Sequence, residues 1–186
     1  GRRMIEMSAH LVDSVLPIVP VRQWVLTLPF PLRYDLAWNH DRTRKVLGEL
    51  NRTLEDFYRA KAAACGIEDG RTGSVTVIQR VGSAINLNPH FHNLSLDGVF
   101  TQKPGEPPEF HPVGLVTDED VAEVTALVRD RVLRLLRSEG VLEGDDASFS
   151  FDDLSDDSPS LAGIYSASVQ GRVAMGERAG CRVFRI

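Results

Sequence analysis

The sequence predicts an α+β fold in which helices flank a central antiparallel sheet. Strand signals surround the middle of the chain, where Val75–Ile78 and Leu94–Phe100 are rich in β-branched and apolar residues. Helix signals lie on both sides, because apolar residues recur at three- and four-residue steps between residues 41 and 65 and between residues 117 and 140. A block of strands between long helical patterns therefore indicates an α+β domain.

The first third of the chain alternates between helical and extended patterns. Residues 2–16 have the spacing of an amphipathic helix that ends at Pro17, and Val21–Leu28 has the composition of a buried strand closed by Pro29. Residues 32–38 are predicted to form a short apolar turn. Asp41 is then expected to cap a long helix that reaches Cys65 and ends before Gly66.

Turn signals separate the later elements. Asp69-Gly70 marks the turn into the strands, and Gly98 is expected to mark a bulge within the second strand. Thr101–Pro112 is rich in proline and is predicted to be a loop. Thr117 and Asp120 have the spacing of a capping box, which predicts that the last helix begins there and ends near Gly140.

Composition and charge indicate one globular core, assigned to residues 1–142, and an acidic segment. Residues 143–160 hold seven acidic residues and no lysine or arginine, so they are predicted to form a flexible linker. Without those seven acids the formal net charge of −5 becomes +2, which fits a local phosphate-binding groove and excludes a strongly basic DNA coat. Residues 161–186 are predicted to form a basic C-terminal segment. With two cysteines and no signal-peptide pattern, a cytoplasmic location is expected.

Two histidines with one aromatic residue between them form the candidate functional motif. Side chains alternate between the faces of a strand, so His90 and His92 share one face while Phe91 points to the core. Pro89 favours the extended conformation, because it lacks an N–H and holds the preceding residue out of helical space. The pair is therefore a candidate imidazole site for a metal ion.

A metal site needs more than two imidazoles, and the preceding strand offers a third ligand. If that strand pairs antiparallel with the histidine strand, Gln79 lies near its end and is placed to project onto the same face. Asp97 is the rival candidate. His10 and His111 are expected to be surface histidines, and Trp24 is expected to be a core residue.

Three separated blocks carry a resemblance to a known family. They read VPVRQWVLTLPFPLRY, GSVTVIQRVGS and NLNPHFHNLSLDGVF, and a weaker block, SASVQGRVAMGERAG, follows near the C-terminus. In this order they resemble the HUH-type transposases of rolling-circle insertion sequences, which use two tyrosines and are related to relaxases, plasmid Rep proteins and Helitrons.

The resemblance implies an HUH endonuclease-like fold and the nicking and rejoining of single-stranded DNA at transposon ends. It implies that His90, His92 and a polar third residue hold Mg²⁺ or Mn²⁺, and that a downstream tyrosine attacks the scissile phosphate. It also implies that the first strand, which contains Trp24, lies beside the histidine strand.

The chain departs from the family pattern in two ways. The family carries a cysteine-rich zinc module before the segment that begins here, and a Tyr-x-x-x-Tyr helix well after the histidines. Tyr165, the only tyrosine downstream of His92, has no partner tyrosine at that spacing. We therefore expect a transposase fragment whose nucleophile is absent and which is inactive alone.

Two alternatives remain open at this stage. A cupin-like β-barrel also uses a His-x-His motif, although the long helical patterns argue against it. A non-catalytic remnant that binds DNA is the other alternative.

Overall fold

The computed structural model describes residues 10–29, 32–81 and 87–142. Within these ranges the chain forms one π-helical turn, five strands and three α-helices. In chain order these are the π-helix Leu11–Val15, β1 (Val21–Thr27), α1 (Arg33–Trp38), α2 (His40–Ala64), β2 (Ser74–Val81), β3 (Leu87–Leu96), β4 (Gly98–Thr101), β5 (Glu109–Pro112) and α3 (Asp118–Ser138). The acidic segment, the basic C-terminal segment and residues 1–9 lie outside the described residues.

The main sheet is antiparallel and places the histidine strand in its centre. Its strand order is β1-β3-β2, so β3 pairs with both neighbours. This arrangement confirms the predicted α+β fold and the expected pairing of the first strand with the histidine strand. The open three-stranded sheet does not close into a barrel in the described part of the chain, so the cupin-like alternative is wrong.

A bend at Asp97 ends the histidine strand earlier than the sequence pattern suggested. β3 stops at Leu96, and Gly98 begins β4, which pairs with β5 in a separate two-stranded sheet. The prediction of a loop is therefore wrong for residues 109–112, where Pro112 is tolerated because it is the last residue of the strand. Gly98 is required for close approach rather than for a bulge, because a Cβ atom there would lie 2.2 Å from the carbonyl oxygen of His111.

The helices begin at different residues from some of those predicted. Residues 33–38 form α1 instead of a turn, and Asn39, not Asp41, caps α2 by accepting a hydrogen bond from the backbone N–H of Arg42 at 3.0 Å. The capping box of α3 is confirmed, since the side chains of Thr117 and Asp120 each accept from the other's backbone N–H.

The hydrophobic core lies on one side of the sheet, between β3 and the long helices. The buried face of α2 contributes Val46, Leu50, Leu54 and Tyr58, and the opposing sheet contributes Phe91, which is fully buried. Burial of one such side chain stabilises a fold by about 1.5–3 kcal/mol. This burial explains why Phe91 separates the two histidines.

The other face of the sheet is open in the described part of the chain. Exposure alternates strictly along β1, and Val21, Val25 and Val77 are 45%, 52% and 55% exposed. The prediction of a fully buried first strand is therefore wrong, because helices cover only one face of the sheet.

None of the helices in the described ranges combines the length and the apolar character needed to cross a membrane.

Candidate metal centre

His90 lies in a row of three polar residues that crosses the open face of the sheet. Its direct partners are Thr27 on β1 and Gln79 on β2, as the antiparallel pairing predicted. Directly paired residues of antiparallel strands have Cβ atoms about 4.5–5.5 Å apart on the same face. The structure therefore brings Gln79 next to His90.

The backbone determines which nitrogen of His90 can bind a ligand. Nδ1 lies 2.6 Å from the carbonyl oxygen of Asn88. Because a carbonyl oxygen can only accept, Nδ1 carries the hydrogen and donates a hydrogen bond to that oxygen. Nε2 then keeps its lone pair. A histidine that ligates a metal commonly makes such a hydrogen bond, because the bond fixes the tautomer and the ring orientation.

His92 lies one row further along the same face, between two exposed valines. Val25 and Val77 are its direct partners on the neighbouring strands. Its Nδ1 lies 2.8 Å from the side-chain nitrogen of Gln23. In this orientation the amide donates to Nδ1. Only the opposite orientation of the amide, with its oxygen against Nδ1, makes Nδ1 the donor and leaves the lone pair on Nε2.

The two rings are close enough for a shared ligand. Their centroids are 4.8 Å apart and their planes are inclined by 67°. An imidazole nitrogen binds a divalent transition metal at about 2.0–2.1 Å, so rings whose centroids are this close are near enough for one nitrogen of each to be turned towards a shared ion. No cluster of three or more His, Cys, Asp or Glu side chains occurs within the described ranges. An additional protein ligand from these ranges therefore has to be of another type, such as the amide oxygen of Gln79.

Asp97 is not placed to serve as the rival third ligand. Its two carboxylate oxygens accept hydrogen bonds from Arg22 at 2.9 and 2.7 Å, and the hydroxyl group of Tyr58 lies 3.4 Å away. The hydrogen bond to Asp97 raises the pKa of Arg22. The expectation that Asp97 competes with Gln79 is therefore wrong, because the carboxylate is already held by a guanidinium.

A buried polar network supports the histidine strand from the opposite face. Asn93 is fully buried, and its amide nitrogen lies 2.8–3.1 Å from the side-chain oxygens of Thr76, Ser74 and Asn51. Its amide oxygen accepts a hydrogen bond from Ser95 at 2.6 Å. This network is not among the features predicted from the sequence, although polar residues at alternate positions 93 and 95 on the core face are a usable signal for it.

The other described histidines belong to different elements. His10 is exposed before the π-helix, His40 begins α2 and contacts Arg80 at 2.6 Å, and His111 contacts the hydroxyl group of Thr101 at 2.8 Å on the second sheet. The expectation that His10 and His111 lie outside the metal site agrees with these positions.

The described tyrosines are packing residues. Tyr58 is fully buried, accepts a hydrogen bond from Trp24 at 3.1 Å, and has its pKa raised to about 12, mainly by burial. Trp24 itself is half-buried and packs edge-on against Phe57, which agrees with a core role. Tyr34 packs against Trp38 within α1. Tyr165 lies outside the described residues.

Comparison with known proteins gives one family match. Residues 73–153 match a protein-family model described as "Putative transposase". The matched region contains β2 to α3 and therefore both histidines and Gln79. No curated protein and no solved structure matches the chain. The family match supports a transposase family and a role in transposition.

Proposed function

We propose that this chain is the DNA-processing domain of an HUH-type transposase, which binds single-stranded DNA and takes part in metal-dependent nicking and rejoining. One observation carries this proposal. His90 and His92 lie side by side on a sheet face that no described element covers, with Gln79 directly opposite His90. The match to a transposase family model includes all three residues.

The ligand set fits a divalent cation. His90, His92 and Gln79 would hold it through two imidazole nitrogens and one amide oxygen, and water or phosphate oxygens would complete the coordination. We expect Mn²⁺ to bind more tightly than Mg²⁺, because Mg²⁺ prefers a shell of oxygen ligands. A bound divalent cation supplies Lewis-acid polarisation of a phosphoryl oxygen.

The protein side chains position the DNA and restrict the choice of nucleophile. The open face leaves room for an extended strand beside the histidines, since Val25 and Val77 are about half exposed. Tyr58 is not the attacking group, because its hydroxyl is buried and its raised pKa of about 12 disfavours the tyrosinate form. We therefore expect no covalent protein–DNA adduct through Tyr58.

A Mn²⁺ titration tests the proposed metal centre. We expect saturable binding of one ion to the wild-type protein and loss of that binding in the His90→Ala/His92→Ala double variant. His10→Ala is the matched control, because it removes an exposed imidazole from another element. Equal affinities in the wild-type and double-variant proteins would refute the site.

DNA binding is tested separately. We expect a preference for single strands over duplex and a decline in affinity as salt rises, because phosphate contacts release counterions. A denaturing gel after incubation with Mn²⁺ and labelled single-stranded DNA tests for a covalent adduct. An adduct that Tyr58→Phe abolishes would contradict our exclusion of that residue.

A further inference from the structure

A second polar cleft lies at the other end of β2 from the histidines. It has a volume of about 950 Å³ and is bounded by the helix α2, the segment before β2 and the strand β4. Glu55 and Arg59 contribute the helical wall, and Arg71 and Phe100 contribute the opposite wall. None of these residues belongs to the metal centre described above.

Strand pairing places a cation beside an aromatic ring of this cleft. Arg71 and Phe100 exchange two backbone hydrogen bonds of 2.8 and 2.7 Å, so their side chains lie on the same face. Phe100 pairs in turn with Phe110, and the two ring centroids are 5.0 Å apart. One continuous row across three chain segments is therefore formed by Arg71, Phe100 and Phe110.

One cation in the cleft is available to a ligand. Arg71 is exposed and forms no ion pair with any described residue, whereas Arg59 lies 3.7 Å from Glu55. The hydroxyl oxygen of Thr72 also has no hydrogen-bond partner in the described part of the chain, but it is buried and therefore is not accessible from the cleft. Arg71 is therefore the charged group on which an anionic part of a ligand can bind.

The charge balance of the cleft favours a nucleotide over a simple anion. Two arginines and two carboxylates line it, since Asp69 adds to Glu55. A simple anion gains little from a site with no net positive charge. An unpaired nucleotide offers a flat base for stacking, base edges that both donate and accept, and a phosphate for a guanidinium.

We infer that this cleft binds an unpaired nucleotide of the same DNA strand that the histidine centre engages, with the base on Phe100 and its phosphate on Arg71. The inference rests on the proposed function. In the described sheet β2 is an edge strand, and the eight residue steps from Arg71 to Gln79 span at most about 26 Å at roughly 3.3 Å per step. One single strand that follows this edge reaches both sites. The cleft is therefore a specificity element at a distance from the metal.

Binding of a single-stranded oligonucleotide is measured with a chelator present, so that no metal ion contributes. This measurement tests the cleft separately from the metal centre. We would measure the anisotropy of a labelled 20-nucleotide single strand with the full chain. Arg71→Gln is expected to weaken binding about ten-fold at low salt and to reduce the slope of log K against log salt by about 0.7, the value for one phosphate contact on a single strand. Arg129→Gln is the matched control, because Arg129 is 67% exposed and does not line the cleft.

Two further variants test the contact between Phe100 and the nucleobase and the role of the buried Thr72 hydroxyl. Phe100→Leu is expected to weaken binding of the normal strand about ten-fold and to leave binding of a strand of abasic residues unchanged. Thr72→Val replaces the buried, unpartnered hydroxyl with a methyl group, and it is expected to leave binding of the normal strand unchanged while the fold is retained. Thermal unfolding establishes which variants are folded. If Phe100→Leu does not fold, the comparison of Arg71→Gln with Arg129→Gln decides the result.

The outcomes distinguish failure of the cleft inference from failure of the proposed function. If the wild-type protein binds single strands and Arg71→Gln matches Arg129→Gln, the cleft inference is wrong and the proposed function stands. If the wild-type protein binds Mn²⁺ through the histidines but no single strand, both are wrong. Selective loss in Arg71→Gln, with normal Mn²⁺ binding, supports the inference.

Discussion

Replacement of Asn93 by leucine is expected to destabilise the protein by about 3 kcal/mol. The amide NH₂ group of Asn93 has two hydrogens for the three oxygens around it, and its carbonyl oxygen accepts one further bond from Ser95. The substitution therefore removes about three buried hydrogen bonds, each with a net value of about 1 kcal/mol. Leucine has the same branching at Cγ and the same number of side-chain heavy atoms, so the change leaves no cavity.

Urea denaturation measures this loss. With a typical urea dependence of about 2 kcal/mol per molar, a loss of about 3 kcal/mol lowers the midpoint by about 1.5 M. Ser95→Ala is the comparison, because it removes only the bond from the Ser95 hydroxyl and should cost about 1 kcal/mol. In the Asn93→Leu background the same change should cost almost nothing, since its partner is gone. A loss below 1 kcal/mol for Asn93→Leu, or full additivity of the two changes, would refute the view that the network stabilises the histidine strand.

Three further predictions concern the metal centre, a buried phenol and two glycines. Gln23→Leu should lower Mn²⁺ affinity about 10- to 100-fold without loss of stability, because Gln23 is exposed and its side chain hydrogen-bonds Nδ1 of His92. An unchanged affinity in calorimetric titration would contradict this. Tyr58 has its pKa raised from 10.0 to about 12, so between those pH values the folded state binds more protons than the unfolded state. Stability therefore falls as pH rises through them, by up to about 3 kcal/mol. Urea unfolding at pH 9 and pH 12 should show a smaller fall for Tyr58→Phe than for the wild-type protein, and equal falls would refute the assignment. Gly98→Ala should destabilise the protein by about 3 kcal/mol or more, since the added Cβ would overlap backbone atoms. Gly48→Ala in α2 should stabilise the protein by up to about 1 kcal/mol, because a Cβ there has nothing within 4 Å. Melting temperatures that shift in the same direction for both variants would contradict these two predictions.

The sequence by itself determined the local geometry of the candidate site. Side chains on a strand alternate with a period of two, so the i, i+2 spacing of His90 and His92 placed them on one face before any partner was known. The sequence also made Gln79 a candidate on the same face if the preceding strand pairs antiparallel, but the register that puts Gln79 directly opposite His90 comes from the folded sheet. The capping box at Thr117 was equally readable, because its hydrogen bonds join residues only three positions apart.

The sequence signals for secondary structure were weaker in the short elements. Residues 33–38 and 109–112 were assigned to a turn and a loop, yet they form a helix and a strand. Proline and loop-like composition dominated the local pattern at residues 101–112. Pairing with β4 then decided the outcome, because tertiary hydrogen bonds outweigh a weak local preference.

Only the tertiary structure decided which polar groups are available for function. Asp97 and Gln79 were both reasonable ligands by sequence, but Arg22, 75 positions away, holds the Asp97 carboxylate. The row from Arg71 to Phe110 and the network around Asn93 likewise join segments that are far apart in the chain. Periodicity fixes the face on which a side chain lies, whereas its partners depend on how distant segments pack, and no local pattern carries that information.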